Sequence, residues 1–291
     1  MNLPFGPTGI SRLALALGAI LALATASPAR QGTDPNKVPD VEQQRDMDQQ
    51  LKQRQLNKDI IEQAAPKFDP KEEAAYKAFF DASEQDAAKR IDLGQDFLKS
   101  YPASRYAEAV YSGLVRAYYA KQDWPNFFAS GDKALALKAD DIDILAMVGW
   151  VIPHLLDPKD PDAGQKLDKA ESFEKRALVA LVTMSKSAGL TDEQFATYKT
   201  EKSSEAHSGL GLVYFRRADF EASAKELVQA TQAVPNPDPT DLYALGASLY
   251  NLKRFSEAAG AFAQCAESPT GLQAVCKQQA EDAKKHAAQG K

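Results

Sequence analysis

The sequence predicts an all-α protein, arranged as a solenoid of four to five helix pairs with a C-terminal cap helix. Three observations lead to this prediction. Ala, Leu, Lys, Glu and Gln are abundant in every long segment, and strand-forming runs are sparse. Apolar residues recur at helical spacing through most of the chain. One pattern occurs twice, since Leu210 and Gly211 map onto Leu245 and Gly246 at a shift of 35 residues, and such a period is typical of helical repeats.

Residues 1–26 are predicted to be a signal peptide. Arg12 supplies a positive charge before an apolar run of 14 residues, which is too short to span a bilayer comfortably and suits a signal-peptide core. An A-x-A motif ends at Ala26, so we expect cleavage near this residue and an exported chain, periplasmic or secreted. An uncleaved anchor is the alternative. No other apolar stretch is long enough to cross a membrane, so no stable membrane insertion is expected after cleavage.

Residues 27–70 are predicted to be a polar linker, either disordered or a marginal helix. Prolines stand near both ends of this segment, and its centre is rich in Gln and in charged residues. Met47 and Leu51 fit helical spacing, but three or four sustained heptads, which a coiled coil needs, are missing. A solvated tether is therefore the favoured interpretation.

Residues 71–291 are predicted to form the helical repeat domain. Apolar spacing places helices at 72–82, 86–101, 105–120, 125–137, 140–151, 164–187, 203–217, 220–233, 239–252, 255–267 and 271–288, with a turn at 122–124. Three prolines predict a loop at 152–163, and Thr191 with Gln194 predicts a capping box that begins a further helix. Helices this short are marginal in isolation, so their neighbours must bury the apolar faces.

Two segments place small and large residues at the same positions of successive helices. These positions are Leu210, Gly211, Tyr214, Ser223, Leu227, Ala230 and Pro235 in the first, and Leu245, Gly246, Leu249, Ala258, Phe262, Cys265 and Pro269 in the second. In this pattern the chain resembles the tetratricopeptide repeat, of the type found in exported bacterial proteins. The clearest repeats are 204–237 and 239–272. Weaker units lie at 111–134 and 142–177, with a degenerate unit at 71–102.

The resemblance implies a non-catalytic scaffold of the cell envelope that binds a peptide or protein in the concave groove of the solenoid. In this family, groove-facing residues recur at fixed offsets from the Leu-Gly pair. One offset gives Arg116, Met147, Leu212 and Ala247, and the positions three residues later are Tyr119, Trp150, Phe215 and Tyr250, with Arg216 and Asn251 beside them. The groove candidates are Arg116, Tyr119, Met147, Trp150, Phe215, Arg216, Tyr250 and Asn251. Four of these are aromatic, which the packing pattern itself does not require, so we expect an aromatic row that grips an extended or helical peptide. The alternative is that the rings pack against the next repeat and serve only the core.

The two cysteines of the chain are Cys265 and Cys276, on the last predicted repeat and on the cap helix. Two antiparallel helices could bring them within disulfide range, and an exported protein meets an oxidising compartment. We therefore expect a disulfide, with two free buried thiols as the alternative.

No catalytic, cofactor-binding or metal-binding residues are predicted. The three histidines lie far apart in sequence without a partner at ligand spacing, and no phosphate loop or nucleophile motif occurs. The net charge of −5 argues against a nucleic-acid partner, because phosphate binding needs a surplus of Lys and Arg. Three alternatives to a general scaffold stay open: a component of an outer-membrane or secretion assembly complex, an enzyme or substrate-binding protein with a site at 152–200, and a purely structural role.

Overall fold

The computed structural model describes residues 41–64 and 68–289. They belong to two compact units, of which one ends at Lys77 and the other begins at Ala78. The predicted signal peptide at 1–26 lies outside the described residues, as does the first part of the predicted linker. Among the described residues, no helix combines the length and the apolar character that crossing a membrane requires.

The first unit contains helix α1 (Val41–Ala64). Side chains at 44–58 are exposed, including those of Met47, Leu51 and Leu56, which are all more than half exposed. The thin apolar stripe of α1 is thus open to solvent over these residues.

Eleven further helices follow in the described chain. They are α2 (Pro70–Asp81), α3 (Ala87–Ser100), α4 (Ala107–Lys121), α5 (Trp124–Leu137), α6 (Ile142–Leu155), α7 (Ala163–Thr183), α8 (Asp192–Arg216), α9 (Phe220–Ala233), α10 (Pro239–Asn251), α11 (Phe255–Glu267) and α12 (Gln273–Ala288). No strand occurs between residues 68 and 289. The prediction of an all-α helical solenoid is confirmed.

Consecutive helices of the second unit pack in pairs. We call α4, α6, α8 and α10 the A helices, and α5, α7, α9 and α11 the B helices that follow them. Each A helix packs on its B helix, α3 packs on α4, and α12 covers α11. In addition, α6 packs on α8 and α8 packs on α10, whereas the B helices have no comparable contact with one another. The B helices α7 and α9 also pack on the A helix that follows them. We call the layer of A helices the inner layer of the solenoid.

Turn chemistry repeats along the array. An aspartate caps the N-terminus of several helices, its side chain accepting a hydrogen bond from a backbone N–H two or three residues later. These caps are Asp86, Asp123, Asp141, Asp219 and Asp238. Three A helices are followed, one or two residues after their end, by a residue with positive φ, namely Gln122, Ala218 and Lys253. The left-handed residue reverses the chain within two to three residues, and this tight turn sets each B helix against its A helix.

The core explains the Leu-Gly pattern of the sequence. A Cβ atom on Gly211 would lie 2.5 Å from Cγ of Leu227, and one on Gly246 would lie 2.7 Å from the ring of Phe262. Leu227 and Phe262 are fully buried on the B helices. Glycine is needed because the B-helix side chain occupies the space of the missing methyl group, which lets the paired helices approach closely.

Two features of the predicted helices are wrong. Residues 152–155 belong to α6 and not to the loop, which covers 156–162. Pro153 costs a single backbone hydrogen bond near the helix end, and burial of Ile152 offsets this loss. The capping box of Thr191 and Gln194 is confirmed, with hydrogen bonds of 2.9 and 3.1 Å, but it begins a continuous helix of 25 residues instead of a separate short one.

Cys265 lies on α11 and Cys276 lies on α12. Their sulfur atoms are joined, their Cα atoms are 5.8 Å apart, and both side chains are fully buried next to Leu242 and Leu272. The cap helix is thus attached to the last repeat both covalently and by apolar packing.

Candidate functional site

The eight candidate groove residues lie on the A helices at equivalent positions. Seven of them are half-buried, and Asn251 is exposed. Their positions are Arg116 and Tyr119 on α4, Met147 and Trp150 on α6, Phe215 and Arg216 on α8, and Tyr250 and Asn251 on α10. Each of the four aromatic rings therefore has an accessible part on the inner layer.

Three of the four aromatic rings also pack against the first residue of the following B helix, and Tyr119 is the first example. Its ring contacts the ring of Trp124, five residues later at the start of α5, with centroids 5.9 Å apart. Phe215 contacts Phe220 in the same way at 6.2 Å, and Tyr250 contacts Phe255 at 5.1 Å. In the sequence, each of these rings is followed five residues later by a second aromatic residue. This spacing could have indicated that the rings pack against the B helix.

Tyr250 also reaches the cap helix. Its hydroxyl group donates a hydrogen bond of 2.6 Å to Oδ2 of Asp282, which raises the pKa of the phenol, and its ring meets that of His286 edge-on. Part of the Tyr250 side chain therefore packs against the next element of the array, as the alternative to a groove residue predicts.

Trp150 is held by a hydrogen-bonded chain that crosses three A helices. Its indole N–H donates to Oγ of Ser208 at 3.0 Å, and the Ser208 hydroxyl donates to Oδ1 of Asp241 at 2.8 Å. Asp241 is buried, and burial raises the pKa of its carboxyl group well above the ordinary value. The chain fixes the indole ring, which also lies against the imidazole of His154 with centroids 3.9 Å apart.

Charged residues join α4, α6 and α8 on the inner layer. We call this set the inner ion network, and it consists of Arg116, Asp143, Tyr198, Lys202 and Glu205. Asp143 accepts from Arg116 at 3.1 Å, from Lys202 at 3.2 Å and from the Tyr198 hydroxyl at 3.2 Å, and Lys202 also bonds Glu205 at 2.7 Å. Burial opposes the ionisation of Asp143, but Lys202 and Arg116 hold the pKa of its carboxyl group below the ordinary value.

The sequence had indicated only Arg116 as a site residue in the inner ion network. Lys202 lies just before the predicted repeat at 204–237 and Glu205 lies at its start, ahead of the Leu210–Gly211 pair from which the groove offsets are counted. Asp143 lies in the first turn of α6, where its negative charge also complements the helix dipole.

The inner faces of distant helices share one electrostatic environment. Burial raises the pKa of Tyr119 on α4, and the negative charges of Asp238 and Glu205 raise it further. These charges belong to the start of α10 and to α8, more than eighty residues later in the chain. The inner layer thus brings residues of three A helices close to one another.

Arg216 differs from Arg116, the other candidate cation, because no ion pair of the described residues balances its charge. Its Nε donates to the backbone oxygen of Pro153 at 3.0 Å, and burial lowers the pKa of its guanidinium group. Within residues 68–289 no carboxylate forms an ion pair with it. Asn251, in contrast, donates to the Ala247 oxygen of its own helix at 2.8 Å and projects from an exposed position.

The 152–200 segment contains α7 and the beginning of α8. A cleft of about 450 Å³ beside α7 is lined by Ala139, Asp140, Lys175, Arg176, Val179, Ala180 and Thr183. No group of three His, Cys, Asp or Glu side chains in the described part of the chain is arranged to hold a metal ion.

Part of the chain is similar to known proteins. The family model of the tetratricopeptide repeat matches residues 239–267, which correspond to α10 and α11. Helices α10 and α11 thus match the tetratricopeptide repeat. A solved structure of a thermophilic tetratricopeptide repeat protein from Thermus thermophilus is 16% identical, with a TM-score of 0.44, and the match covers 68% of this chain and 90% of that one. No curated protein matches the chain.

Proposed function

We propose that the protein is a non-catalytic scaffold of the cell envelope that binds a peptide or protein partner on the inner layer of the A helices. Tetratricopeptide repeats are generally scaffolds for protein–protein interaction. The observation that supports a site on the inner layer is the row of half-buried aromatic residues beside Arg216, a half-buried cation without an ion pair.

The chemistry of this surface suits a peptide. Aromatic rings that are already packed on one side lose little conformational freedom when a partner covers the other side, and such rings are frequent binding hot spots. The guanidinium group of Arg216 keeps its Nη donors for a carboxylate or for backbone oxygens of the partner. We infer that Trp150, Phe215 and Arg216 form the centre of the contact, because α6 and α8 pack directly on each other.

Reversal of the charge at Arg216 is expected to weaken partner binding at least tenfold. The Arg216→Glu variant would repel an acidic group and would remove the donors, whereas the matched control Lys225→Glu changes an exposed residue on a B helix. The partner is first captured from envelope extract with the 27–291 protein and identified, and its Kd is then measured for each variant.

An equal Kd for Arg216→Glu and for wild type, with both proteins folded, would show that the partner binds elsewhere. Partner capture also separates the two envelope roles, since a component of an assembly complex would retain outer-membrane or secretion proteins. An enzyme with its site at 152–200 would retain its activity in the Arg216→Glu variant.

The export part of the proposal rests on the predicted signal peptide and on the cysteine pair. We expect no free thiol in unreduced, denatured protein, as measured by thiol labelling and mass. Replacement of Cys276 by Ser is expected to lower the free energy of unfolding by about 2–3 kcal/mol in the chain-entropy estimate for so short a loop. Two reactive thiols in protein purified from its native compartment would contradict the disulfide.

A further inference from the structure

A carboxyl group is completely buried in the middle of the helix array. Glu174 lies on α7 at the position that Leu227 occupies on α9 and Phe262 on α11, counted from the small residue of each B helix. Its side chain is 0% exposed, although Glu is almost never fully buried without a partner. The polar residue thus replaces one of the large apolar side chains that hold the repeats together.

Two glycines make the space for this carboxyl group. A Cβ atom on Gly149 of α6 would lie 2.5 Å from Oε1 of Glu174, and one on Gly209 of α8 would lie 2.0 Å from it. The carboxyl group is therefore enclosed by two neighbouring A helices, and any other residue at either glycine would collide with it. Gly149 stands where the pattern of the other repeats has a large residue, such as Tyr214 on α8.

Within residues 41–64 and 68–289, no group forms a hydrogen bond with either oxygen atom of Glu174. Glu171, one turn earlier on the same helix, shows the contrast: it accepts from Lys175, Arg217 and Tyr214, and these bonds lower its pKa to about 2. An ionised carboxylate without partners in an enclosed apolar site is costly, and the group avoids this cost by retaining its proton.

The charged residues around Glu174 leave it neutral. On α8 it faces Glu205, whose negative charge opposes ionisation, and Lys202, whose positive charge favours it. Lys202 is already bonded to Asp143 of α6 and to Glu205. Burial is the largest effect and raises the pKa of Glu174 well above the ordinary value. His154, the other titratable group of α6 besides Asp143, lies one turn beyond Gly149 and is itself buried.

We propose that Glu174 is a proton-sensitive switch: α7 stays packed against α6 and α8 while the carboxyl group carries its proton, and ionisation loosens this joint. The direction in which stability changes with pH depends on whether the folded or the unfolded state binds the proton more tightly. The folded protein holds the proton at pH values where the unfolded chain has released it, so stability falls as pH rises above the ordinary carboxyl pKa. If the proposed function is correct, the loosened joint would also displace Trp150 and Phe215.

The test compares the full chain with its Glu174→Gln variant in thermal unfolding from pH 5 to pH 9.5. Glutamine keeps the shape but cannot ionise, so the melting temperature of the variant relative to wild type should rise with pH, by about 3 °C or more across this range. Glu201→Gln, an exposed change on α8, is the matched control and should follow wild type at every pH. Differences between variants cancel the titration of groups that do not interact with Glu174.

A constant difference between Glu174→Gln and wild type at all pH values would overturn the switch. So would a direct titration of the Glu174 carboxyl carbon by NMR with a midpoint near that of exposed glutamates. Should the glutamine variant fail to fold, Glu174→Leu provides the second comparison, because leucine is the native residue at the equivalent position 227. Neither measurement uses a binding partner, so the outcome is independent of the proposed function.

Discussion

Replacement of Leu227 by Ala is expected to lower the free energy of unfolding by about 3–5 kcal/mol, the upper part of the range for buried leucines. Leu227 is completely buried on α9 and touches the backbone of α8 at Gly211. Its side chain belongs to a cluster that also includes Leu245 and Phe262 of the following repeat. Removal of the side chain would therefore leave a cavity bounded by two repeats, and the rigid A helices cannot easily collapse into it.

Leu137→Ala is the matched control for this change. Leu137 lies at the end of the B helix α5 and is 57% exposed, so the same chemical deletion should change the free energy of unfolding by less than about 0.5 kcal/mol. Chemical denaturation with helicity as the signal measures both variants. Similar effects of the two substitutions would mean that burial at 227 does not hold the repeats together.

The sequence predicts the helices best where the repeat pattern is regular. The predicted bounds of α9 and α11 agree with the structure, because small and large residues at fixed spacing determine both helices of a pair. The prediction failed at Pro153, where a local rule for proline was overridden by burial of its neighbour Ile152. It failed again in α8, where the residues before 203 carry no regular apolar stripe and tertiary contacts such as Tyr198 to Asp143 hold the helix instead.

The sequence also predicts one part of the candidate site and not the other. The offsets from the Leu-Gly pair place Tyr119, Trp150 and Phe215 on the A helices, and the structure has them there, half-buried. The same offsets could not reveal that Lys202 bonds Asp143, because the two residues lie 59 positions apart and both resemble a solvated helix face in the sequence. Long-range ion pairs depend on the curvature of the array, which the sequence pattern does not encode.

Replacement of Gly211 by Ala is the second substitution for which we expect a large effect. The new methyl group would lie 2.5 Å from Cγ and 2.6 Å from Cδ2 of Leu227, and 3.3 Å from its backbone nitrogen. Overpacking costs about 1–3 kcal/mol, and the higher helix propensity of alanine returns up to about 1 kcal/mol. We expect net destabilisation, because the nearby backbone of α9 limits how far Leu227 can move.

Gly260→Ala is the control, and it should change the free energy of unfolding in the opposite direction. Gly260 is an exposed residue within α11, and among the described residues no atom outside the adjacent helix backbone lies within 4 Å of the position of the added Cβ. The substitution should therefore stabilise the protein by about 0.5–1 kcal/mol through helix propensity alone. Destabilisation by Gly260→Ala, or stabilisation by Gly211→Ala, would contradict the view that helix contact explains glycine at 211.

The double variant Gly211→Ala with Leu227→Ala tests whether the two residues act through the same contact. In the single variants, one substitution overfills the space between α8 and α9 and the other empties it. In the double variant the methyl group at 211 occupies part of the cavity at 227, so the combined loss of stability should be smaller than the sum by about 1 kcal/mol or more. Additive effects would place the cost of Gly211→Ala elsewhere, in which case the Leu-Gly pattern would not result from close helix packing.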